Sequence, residues 1–207
     1  MSNSFGAHRG TLHIKIGPMR SGKSTALNAE LTQFTDIGFK CLKVLHSDDI
    51  RDDVCVNTSC GSTHNSSFKS LTDKIDIIRV TNLNDIINDN YHVIGIDEAQ
   101  FFPELYDKIY DWVENKGIHV RVVGLCGDFK KHKFGKTLDL IPICDSVEKL
   151  HAKCQICLQE LSNQNYKGNI NGIVAPFSKK ISGNNTEQKE VGGDDLYLSV
   201  CRYHNSM

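Results

Sequence analysis

The sequence predicts an α/β fold, with helices on both faces of a parallel sheet, followed by a small strand-and-loop region. Three observations indicate this architecture. Apolar strands alternate with helical segments from residue 11 to about residue 145. The 207 residues suffice for one sizeable core with a small appendage. After residue 150 no convincing helix is found, and glycine and asparagine become frequent. We therefore expect two domains, residues 1–148 and residues 149–207.

The first part of the chain is a predicted strand, a loop and a helix. Residues 11–16 form a short apolar run that leads directly into a glycine-rich loop. Leu27, Leu31 and Phe34 then recur at helical spacing and predict a buried helix face. Gly38 suits the end of that helix, because glycine readily adopts the left-handed conformation found after helix C-termini.

Further elements follow in alternation. Four strands are predicted from apolar runs at residues 40–46, 76–80, 91–97 and 118–127. The segment 82–89 predicts a short helix, and the polar segment 47–67 predicts a long surface loop. A second helix is predicted to begin near Pro103 and to end at Gly117. Its apolar face would consist of Leu105, Ile109, Trp112 and Val113.

Composition limits the possible partners and the cellular compartment. The formal charge of −1 gives no reason to expect nucleic acid or an anionic membrane as the main partner. The first ten residues are polar and do not resemble a signal peptide, and no apolar run approaches the ~20 residues that span a bilayer. We expect a cytoplasmic protein whose eight cysteines are reduced thiols or metal ligands.

The loop after the first strand has the spacing of a phosphate-binding loop. Gly17 is followed by four residues and then by Gly22, Lys23 and Ser24. Such a loop turns backbone N–H groups towards phosphate oxygens at the N-terminus of a helix. Lys23 would contact the β- and γ-phosphates, and the Ser24 hydroxyl would bind Mg²⁺. The alternative is a glycine-containing turn without a ligand.

An acidic pair follows the strand predicted at residues 91–97. Asp97 can hold the Mg²⁺ shell of a nucleotide, and Glu98 can accept a proton from an attacking hydroxyl group or water. Alternatively, both acids only stabilise the N-terminus of the helix near Pro103. The loop and the acids together predict a P-loop nucleoside triphosphatase or kinase, without distinguishing between them.

Two motifs after residue 150 predict a metal site. Cys154 and Cys157 are separated by two residues, and so are Cys201 and His204. Such sulfur and nitrogen ligands suit tetrahedral Zn²⁺, and a site closed by four protein ligands is structural. The alternative is that these are ordinary thiols. The other cysteines and His64 are interpreted as loop residues (Cys55, Cys60, His64) or as packed thiols (Cys41, Cys144).

The order of these motifs resembles the type II thymidine kinases. The matching segments read GPMRSGKST, SDDIR, GIDEAQFFPE, GLCGDFKKHKFG, SVEKLHAKCQIC, APFSKKI and EVGGDDLYLSVCRYH. The resemblance implies a P-loop, RecA-like sheet flanked by helices, with a zinc-binding lobe that carries a lasso loop. It implies transfer of the ATP γ-phosphoryl group to the 5′-hydroxyl of thymidine or deoxyuridine in pyrimidine salvage. It also implies a homotetramer and feedback by dTTP.

The resemblance also implies roles for individual residues. Glu98 would be the general base, and Ser24 with Asp97 would organise Mg²⁺. ATP would be bound by Gly17, Pro18, Met19, Arg20, Ser21, Gly22, Lys23, Ser24, Thr25, Asp49, Arg51, Asp97 and Gln100. The thymine pocket would be lined by Met19, Phe101, Leu125, Phe129, Phe134 and Tyr197. Taken alone, the three phenylalanines would instead suggest core packing. A lasso loop at about residues 182–195 would read the thymine edge, and zinc would be held by Cys154, Cys157, Cys201 and His204.

Four features depart from the family pattern. Cys126 stands where the family usually has an aspartate, so that role is absent or passes to Asp128. Arg20 lies where the family often has an aromatic or small residue. Residues 159–174 form an apparent insertion. His204 replaces a cysteine that many members have, and zinc accommodates this change.

Three other functions compete with a thymidine kinase. They are a relaxed deoxynucleoside kinase, a nucleic-acid-stimulated ATPase with a zinc ribbon, and an inactive regulatory module. The balanced charge and the lack of a basic stripe interleaved with aromatic residues disfavour the ATPase. The intact Lys23, Ser24 and acidic pair disfavour the inactive module.

Overall fold

The computed structural model of the chain describes residues 9–49, 75–87, 90–165, 167–168, 173–182 and 196–206. Within these residues six strands form one parallel sheet in the order β3-β2-β4-β5-β1-β6. The strands are β1 (Leu12–Ile16), β2 (Cys41–His46), β3 (Ile75–Val80), β4 (Val93–Ile96), β5 (His119–Gly124) and β6 (Ser146–Lys149). The predicted parallel α/β sheet is confirmed. The phosphate loop follows β1 and the acidic pair follows β4, so both lie at the carboxyl edge of the sheet with β5 between them.

Helix α1 (Lys23–Asp36) follows the phosphate loop and ends as predicted. The Gly38 amide donates to the Thr35 carbonyl and the Phe39 amide to the Phe34 carbonyl, both at 3.0 Å. Gly38 has a φ of 92°, which only glycine adopts without strain. This pair of bonds satisfies carbonyl groups that the end of a helix leaves open.

Helix α2 (Leu105–Tyr110) continues as a π-helical turn (Asp111–Asn115), and the apolar face predicted for it is buried. The short helix predicted at residues 82–89 is instead a single 3₁₀ turn (Leu83–Asp85) in the described part of that segment. The side chain of Asn82 accepts the Asn84 amide at 2.8 Å, a local bond that competes with a longer helix.

The two faces of the sheet bury separate clusters. Helix α1 covers one face, where Leu27 and Leu31 lie over Gly95 of β4. A Cβ atom at Gly95 would lie 2.8 Å from a methyl group of Leu31 and 2.9 Å from one of Leu27, so glycine allows this close approach. Helix α2 and the π-helical turn cover the other face. The buried cluster there combines residues of the sheet with residues of the helical segment and the loop before it: Leu12, Ile14, Ile94, Ile96, Val120, Val122, Phe102, Leu105, Ile109 and Trp112.

A small lobe follows the sheet. It contains β7 (Ala152–Lys153), α3 (Gln155–Ser162), β8 (Val174–Ala175), β9 (Phe177–Lys180), β10 (Tyr197–Val200) and α4 (Arg202–Ser206). β7 pairs with β8 and β9 with β10, both antiparallel. The domain boundary after residue 148 stays a prediction. Within the described residues no helix is long and apolar enough to cross a membrane.

The helices α3 and α4 were not expected, and α3 shows why. Its apolar residues Leu158 and Leu161 are 43% and 40% exposed, whereas Cys157 faces the core of the lobe. The two leucines therefore face solvent and a cysteine faces the core, so apolar residues do not mark the buried face of this helix. The first residues of the predicted insertion form the end of this helix.

Candidate active site and metal centre

The phosphate loop is held in a tight turn. Gly17 donates its amide to the Gly124 carbonyl at 3.3 Å, and a Cβ atom at Gly17 would lie 2.6 Å from the Leu150 carbonyl oxygen. Gly22 has a φ of 81°, and Arg20 has a left-handed φ of 59° although it is not a glycine. The loop and the first turn of α1 contain all nine predicted phosphate-binding residues from 17 to 25.

Lys23 is folded into this loop. Its Nζ atom donates to the Pro18 carbonyl oxygen at 2.7 Å, and the Ser21 hydroxyl donates to the same oxygen at 2.9 Å. The ammonium group therefore lies within the turn formed by the loop, and its predicted contact with phosphate stays a prediction.

Asp97 directly follows β4, is buried, and connects the phosphate loop to Glu98. Its Oδ1 atom accepts the Ser24 hydroxyl and the Glu98 amide, both at 3.0 Å. The Asp97 amide donates to the Val44 carbonyl at 3.0 Å, which fixes the backbone against β2. The two side chains predicted to hold Mg²⁺ are thus in contact.

Lys43 is a member of this site that sequence reasoning missed. It lies on β2 in register with Gly95, and its Nζ atom is 3.5 Å from Asp97 Oδ2. Lys43 is only 7% exposed and Asp97 only 2%, so the ion pair is buried. Buried lysines are rare unless they are paired, and a cation inside an apolar strand is the signal that could have revealed it.

Glu98 has an unusual backbone conformation, with φ 48° and ψ 45°. Left-handed conformations of non-glycine residues cost free energy and cluster at functional sites. Its carboxylate accepts a hydrogen bond from Gln100 Nε2. Gln100 Oε1 in turn accepts the Leu125 amide at 2.9 Å. Gln100, predicted to bind ATP, is therefore buried between the candidate base and the end of β5.

The phenylalanines predicted to line a base pocket make two kinds of contact, one between two rings and one between a ring and lysine ammonium groups. Phe101 and Phe134 meet edge to face, with ring centres 5.9 Å apart. Phe129 is flanked by the ammonium groups of Lys130 and Lys180, at 5.4 and 5.2 Å from its ring centre. Of the remaining predicted pocket residues, Tyr197 is buried on β10, Leu125 follows β5, and Met19 lies in the phosphate loop.

Cys126, which stands where the family usually has an aspartate, lies near Asp128 in the structure. Cys126 and Asp128 line a cavity of about 130 Å³ between the phosphate loop and the lobe. Asp128 Oδ1 accepts the amides of Lys130 and His132, both at 2.8 Å. The aspartate thus shapes its own turn, and Cys126 contributes a thiol to the cavity.

Several predicted positions lie outside the described residues. They are Arg51, residues 183–195 of the lasso loop, and Cys55, Cys60 and His64. Asp49 is described and buried. Its carbonyl oxygen accepts the Arg79 guanidinium at 2.6 Å.

The four predicted zinc ligands converge in the lobe. Their ligand atoms all lie within 4.8 Å of one another. Cys157 Sγ is 3.8 Å from Cys201 Sγ. His204 Nδ1 lies 3.5, 3.3 and 3.4 Å from the sulfurs of Cys154, Cys157 and Cys201. Zinc bonds of about 2.3 Å to sulfur and about 2.0 Å to nitrogen, arranged tetrahedrally, would separate two sulfurs by about 3.8 Å and sulfur from nitrogen by about 3.5 Å. The cluster therefore fits a zinc ion.

Two further observations support a metal site. Glu160 Oε1 lies 3.2 Å from His204 Nε2, so this carboxylate orients the imidazole with Nδ1 towards the sulfurs. Burial raises the pKa of the Cys154 thiol, but hydrogen bonds from the Cys157 and Cys201 amides and the contact with His204 outweigh it and lower that pKa to about 7. Burial, together with the neighbouring sulfurs, raises the pKa of Cys157 to about 12. Crowded thiols of this kind favour a cation that stabilises several thiolates at once.

Comparisons with known proteins identify one family whose similarity to this chain extends over both the sheet and the lobe. A sequence model of the family described as thymidine kinase matches residues 10–205. The thymidine kinase of monkeypox virus is 34% identical over 195 residues, which cover 93% of this chain and 95% of the relative. That of raccoon poxvirus is 35% identical over 193 residues, with the same coverage of 93% and 95%. That of Oryza sativa subsp. japonica is 33% identical over 207 residues, covering 96% of this chain and 67% of the relative.

Proposed function

Because the chain belongs to the thymidine kinase family, we propose that this kinase transfers the γ-phosphoryl group of ATP to the 5′-hydroxyl of thymidine or deoxyuridine. One observation carries the proposal. The hydroxyl of Ser24 in the phosphate loop and the amide of Glu98 both bind Asp97 Oδ1 at 3.0 Å. A phosphate loop, a metal-binding carboxylate and a candidate base are therefore joined in one hydrogen-bonded unit, which suits the positioning that phosphoryl transfer requires.

The phosphate loop is the proposed ATP site. Backbone amides of residues 17–25 and the N-terminus of α1 would surround the phosphates. Lys23 would exchange the Pro18 carbonyl for the β- and γ-phosphate oxygens. The Ser24 hydroxyl and the Asp97 carboxylate are hard oxygen ligands in contact with each other, and these fit Mg²⁺. Mg²⁺ bound with ATP would neutralise charge on the β- and γ-phosphates.

Glu98 is the proposed general base. In the proposed step, O5′ of the nucleoside forms a bond to the γ-phosphorus while the bond to the β–γ bridging oxygen breaks and ADP leaves. The proton of the 5′-hydroxyl passes to the Glu98 carboxylate. Gln100 binds one oxygen of this carboxylate, so the side chain is held in one orientation before the nucleoside arrives.

The proposed nucleoside site would be lined by Phe101 and Phe134, which are in contact, together with Phe129, Leu125, Met19 and Tyr197. Flat aromatic faces suit a pyrimidine ring. A lasso loop at residues 182–195 that binds the thymine edge through backbone groups would meet N3–H with an acceptor and a carbonyl oxygen with a donor. Cytosine reverses both groups, and two unpaired buried groups would lower kcat/KM for deoxycytidine about 10²–10⁴-fold.

The remaining features follow from the family resemblance. The zinc ion would be structural, because four protein ligands close its coordination sphere. A homotetramer, feedback by dTTP, a cytoplasmic location and roles for Asp49 and Arg51 at the phosphates remain predictions.

The decisive experiment measures kcat/KM for thymidine, deoxyuridine, deoxycytidine, deoxyadenosine and deoxyguanosine under one condition, with ADP release as the signal. We expect thymidine and deoxyuridine to react and the others to be nearly inactive. Deoxycytidine within tenfold of thymidine would favour the relaxed deoxynucleoside kinase. Single-stranded DNA is added to a parallel reaction without nucleoside, and stimulated ADP release there would favour the ATPase.

A further inference from the structure

The hairpin formed by β9 and β10 presents two buried serines to the phosphate loop. Ser178 and Ser199 are directly opposite each other in the antiparallel register of these strands. They are 8% and 1% exposed. Opposed residues of an antiparallel pair project from the same face, so both hydroxyl groups point to one side of the hairpin.

Both hydroxyl groups bind the main chain of the same loop residue. The Met19 amide donates to Ser178 Oγ at 3.0 Å, and Ser199 Oγ donates to the Met19 carbonyl oxygen at 2.6 Å. The next residue, Arg20, adopts the left-handed conformation. The two serines therefore fix both peptide groups of Met19, directly before the left-handed residue Arg20.

The hairpin itself is attached to the Cys/His cluster. Cys201 directly follows β10. The Ser199 amide donates to Gln155 Oε1 at 2.7 Å, and Gln155 directly follows Cys154. Lys179 Nζ, on the adjacent strand, donates to the His204 carbonyl oxygen at 2.9 Å. A continuous path of backbone and hydrogen bonds thus runs from the metal ligands through the hairpin to the phosphate loop.

We propose that Ser178 and Ser199 are positioning residues that hold the phosphate loop in its anion-binding shape, with the Cys/His cluster as their anchor. The proposal rests on the proposed function, because it assigns the loop to a nucleotide. A loop fixed before binding loses less conformational entropy when the nucleotide arrives, so its affinity is higher. The lobe would then serve nucleotide binding as well as base recognition.

The test compares Ser178→Ala, Ser199→Ala, Ser178→Thr and Ser162→Ala with the wild-type protein. Ser162 lies in the same lobe and its hydroxyl binds the Gln159 carbonyl at 2.8 Å, so its loss is the matched control. MgADP binding is measured by calorimetry well below the melting temperature, together with the zinc content. The loss of one hydrogen bond predicts about threefold to tenfold weaker MgADP binding in each loop-facing alanine variant. Zinc content should be unchanged in all variants. The MgADP affinity of Ser162→Ala should equal that of the wild type, and Ser178→Thr should bind MgADP more tightly than Ser178→Ala, close to the wild-type value.

Amide hydrogen exchange provides a second readout. Exchange in a peptide covering residues 17–24 should become faster in Ser199→Ala, while a peptide covering residues 93–96 should not change. If both serines only attach the lobe to the sheet, melting temperature falls while MgADP affinity stays within twofold of the wild type, which overturns the proposal. Should Ser199→Ala fail to fold, the pair Ser178→Ala and Ser178→Thr decides, because one hydroxyl group distinguishes them.

The outcome is separable from that of the proposed function. Wild-type protein that binds MgADP without phosphorylating thymidine would contradict the proposed function alone. Wild-type protein that does not bind MgADP would contradict both.

Discussion

The buried ion pair between Lys43 and Asp97 should contribute strongly to stability. Lys43→Met keeps the length of the side chain but leaves Asp97 without the ammonium group that lies 3.5 Å away. Two unit charges at this distance attract by about 5 kcal/mol at an effective dielectric constant of ~20. Removing one partner of a buried pair costs about 3–5 kcal/mol in measured cases. We expect a loss of about this size in the free energy of unfolding, which corresponds to a fall in Tm of roughly 6–20 °C for a chain of this length.

The assay is chemical denaturation followed by the fluorescence of Trp112, the single and fully buried tryptophan. Lys40→Met is the matched control, because Lys40 is half-exposed and lies 3.9 Å from Asp76. An exposed pair of this kind contributes about 0–1 kcal/mol. The double variant Lys43→Met with Asp97→Asn should recover much of the loss, since it also removes the buried carboxylate charge that the Lys43 ammonium group faces. A Lys43→Met protein no less stable than Lys40→Met would refute the reasoning.

Three further outcomes are expected. Glu98→Gln should keep MgADP binding and lower kcat about 10²–10⁴-fold, because an amide cannot accept the hydroxyl proton. More than half of the wild-type kcat would exclude Glu98 as the base, and Glu114→Gln, at a residue that pairs with Arg9, is the control. Purified protein should contain about one zinc per chain, and Glu160→Gln should weaken zinc binding about 10–100-fold in a chelator competition. Equal zinc affinity in the two proteins would contradict the role of Glu160. Burial and the nearby Arg121 lower the pKa of His119. Below a pH of about 6.5 the unfolded chain therefore binds more protons than the folded one, and the free energy of unfolding should fall as the pH drops from 7 to 5. His119→Gln should reduce that slope, and equal slopes would contradict the assignment.

The sequence predicts which residues of the candidate site come together where its motifs are local. The glycines, Lys23 and Ser24 lie between one strand and one helix, so their spacing alone indicates a phosphate loop. The acidic pair likewise follows directly on an apolar strand. The predicted zinc ligands come in two pairs with short spacing, and each pair forms one half of the cluster.

Contacts between distant segments could not be predicted in this way. Ser178 and Ser199 are separated from Met19 by 159 and 180 positions, and nothing near them in the chain marks that contact. Lys43 interrupts the apolar run of β2, which marks the residue as unusual but does not identify Asp97 as its partner. Its burial makes sense only once β2 lies beside the end of β4.

Strand β5 lies between β1, which precedes the phosphate loop, and β4, which precedes the acidic pair. This position determines which substitutions in β5 the candidate site tolerates. Two interstrand steps of about 4.8 Å separate the ends of β1 and β4 by about 10 Å. Backbone ladders maintain this separation. Exchanges among β-branched residues at Val120 or Val122 should therefore leave the loop and the acidic pair at the same separation. A proline in β5 would instead remove a ladder donor and displace the loop and the acidic pair relative to each other.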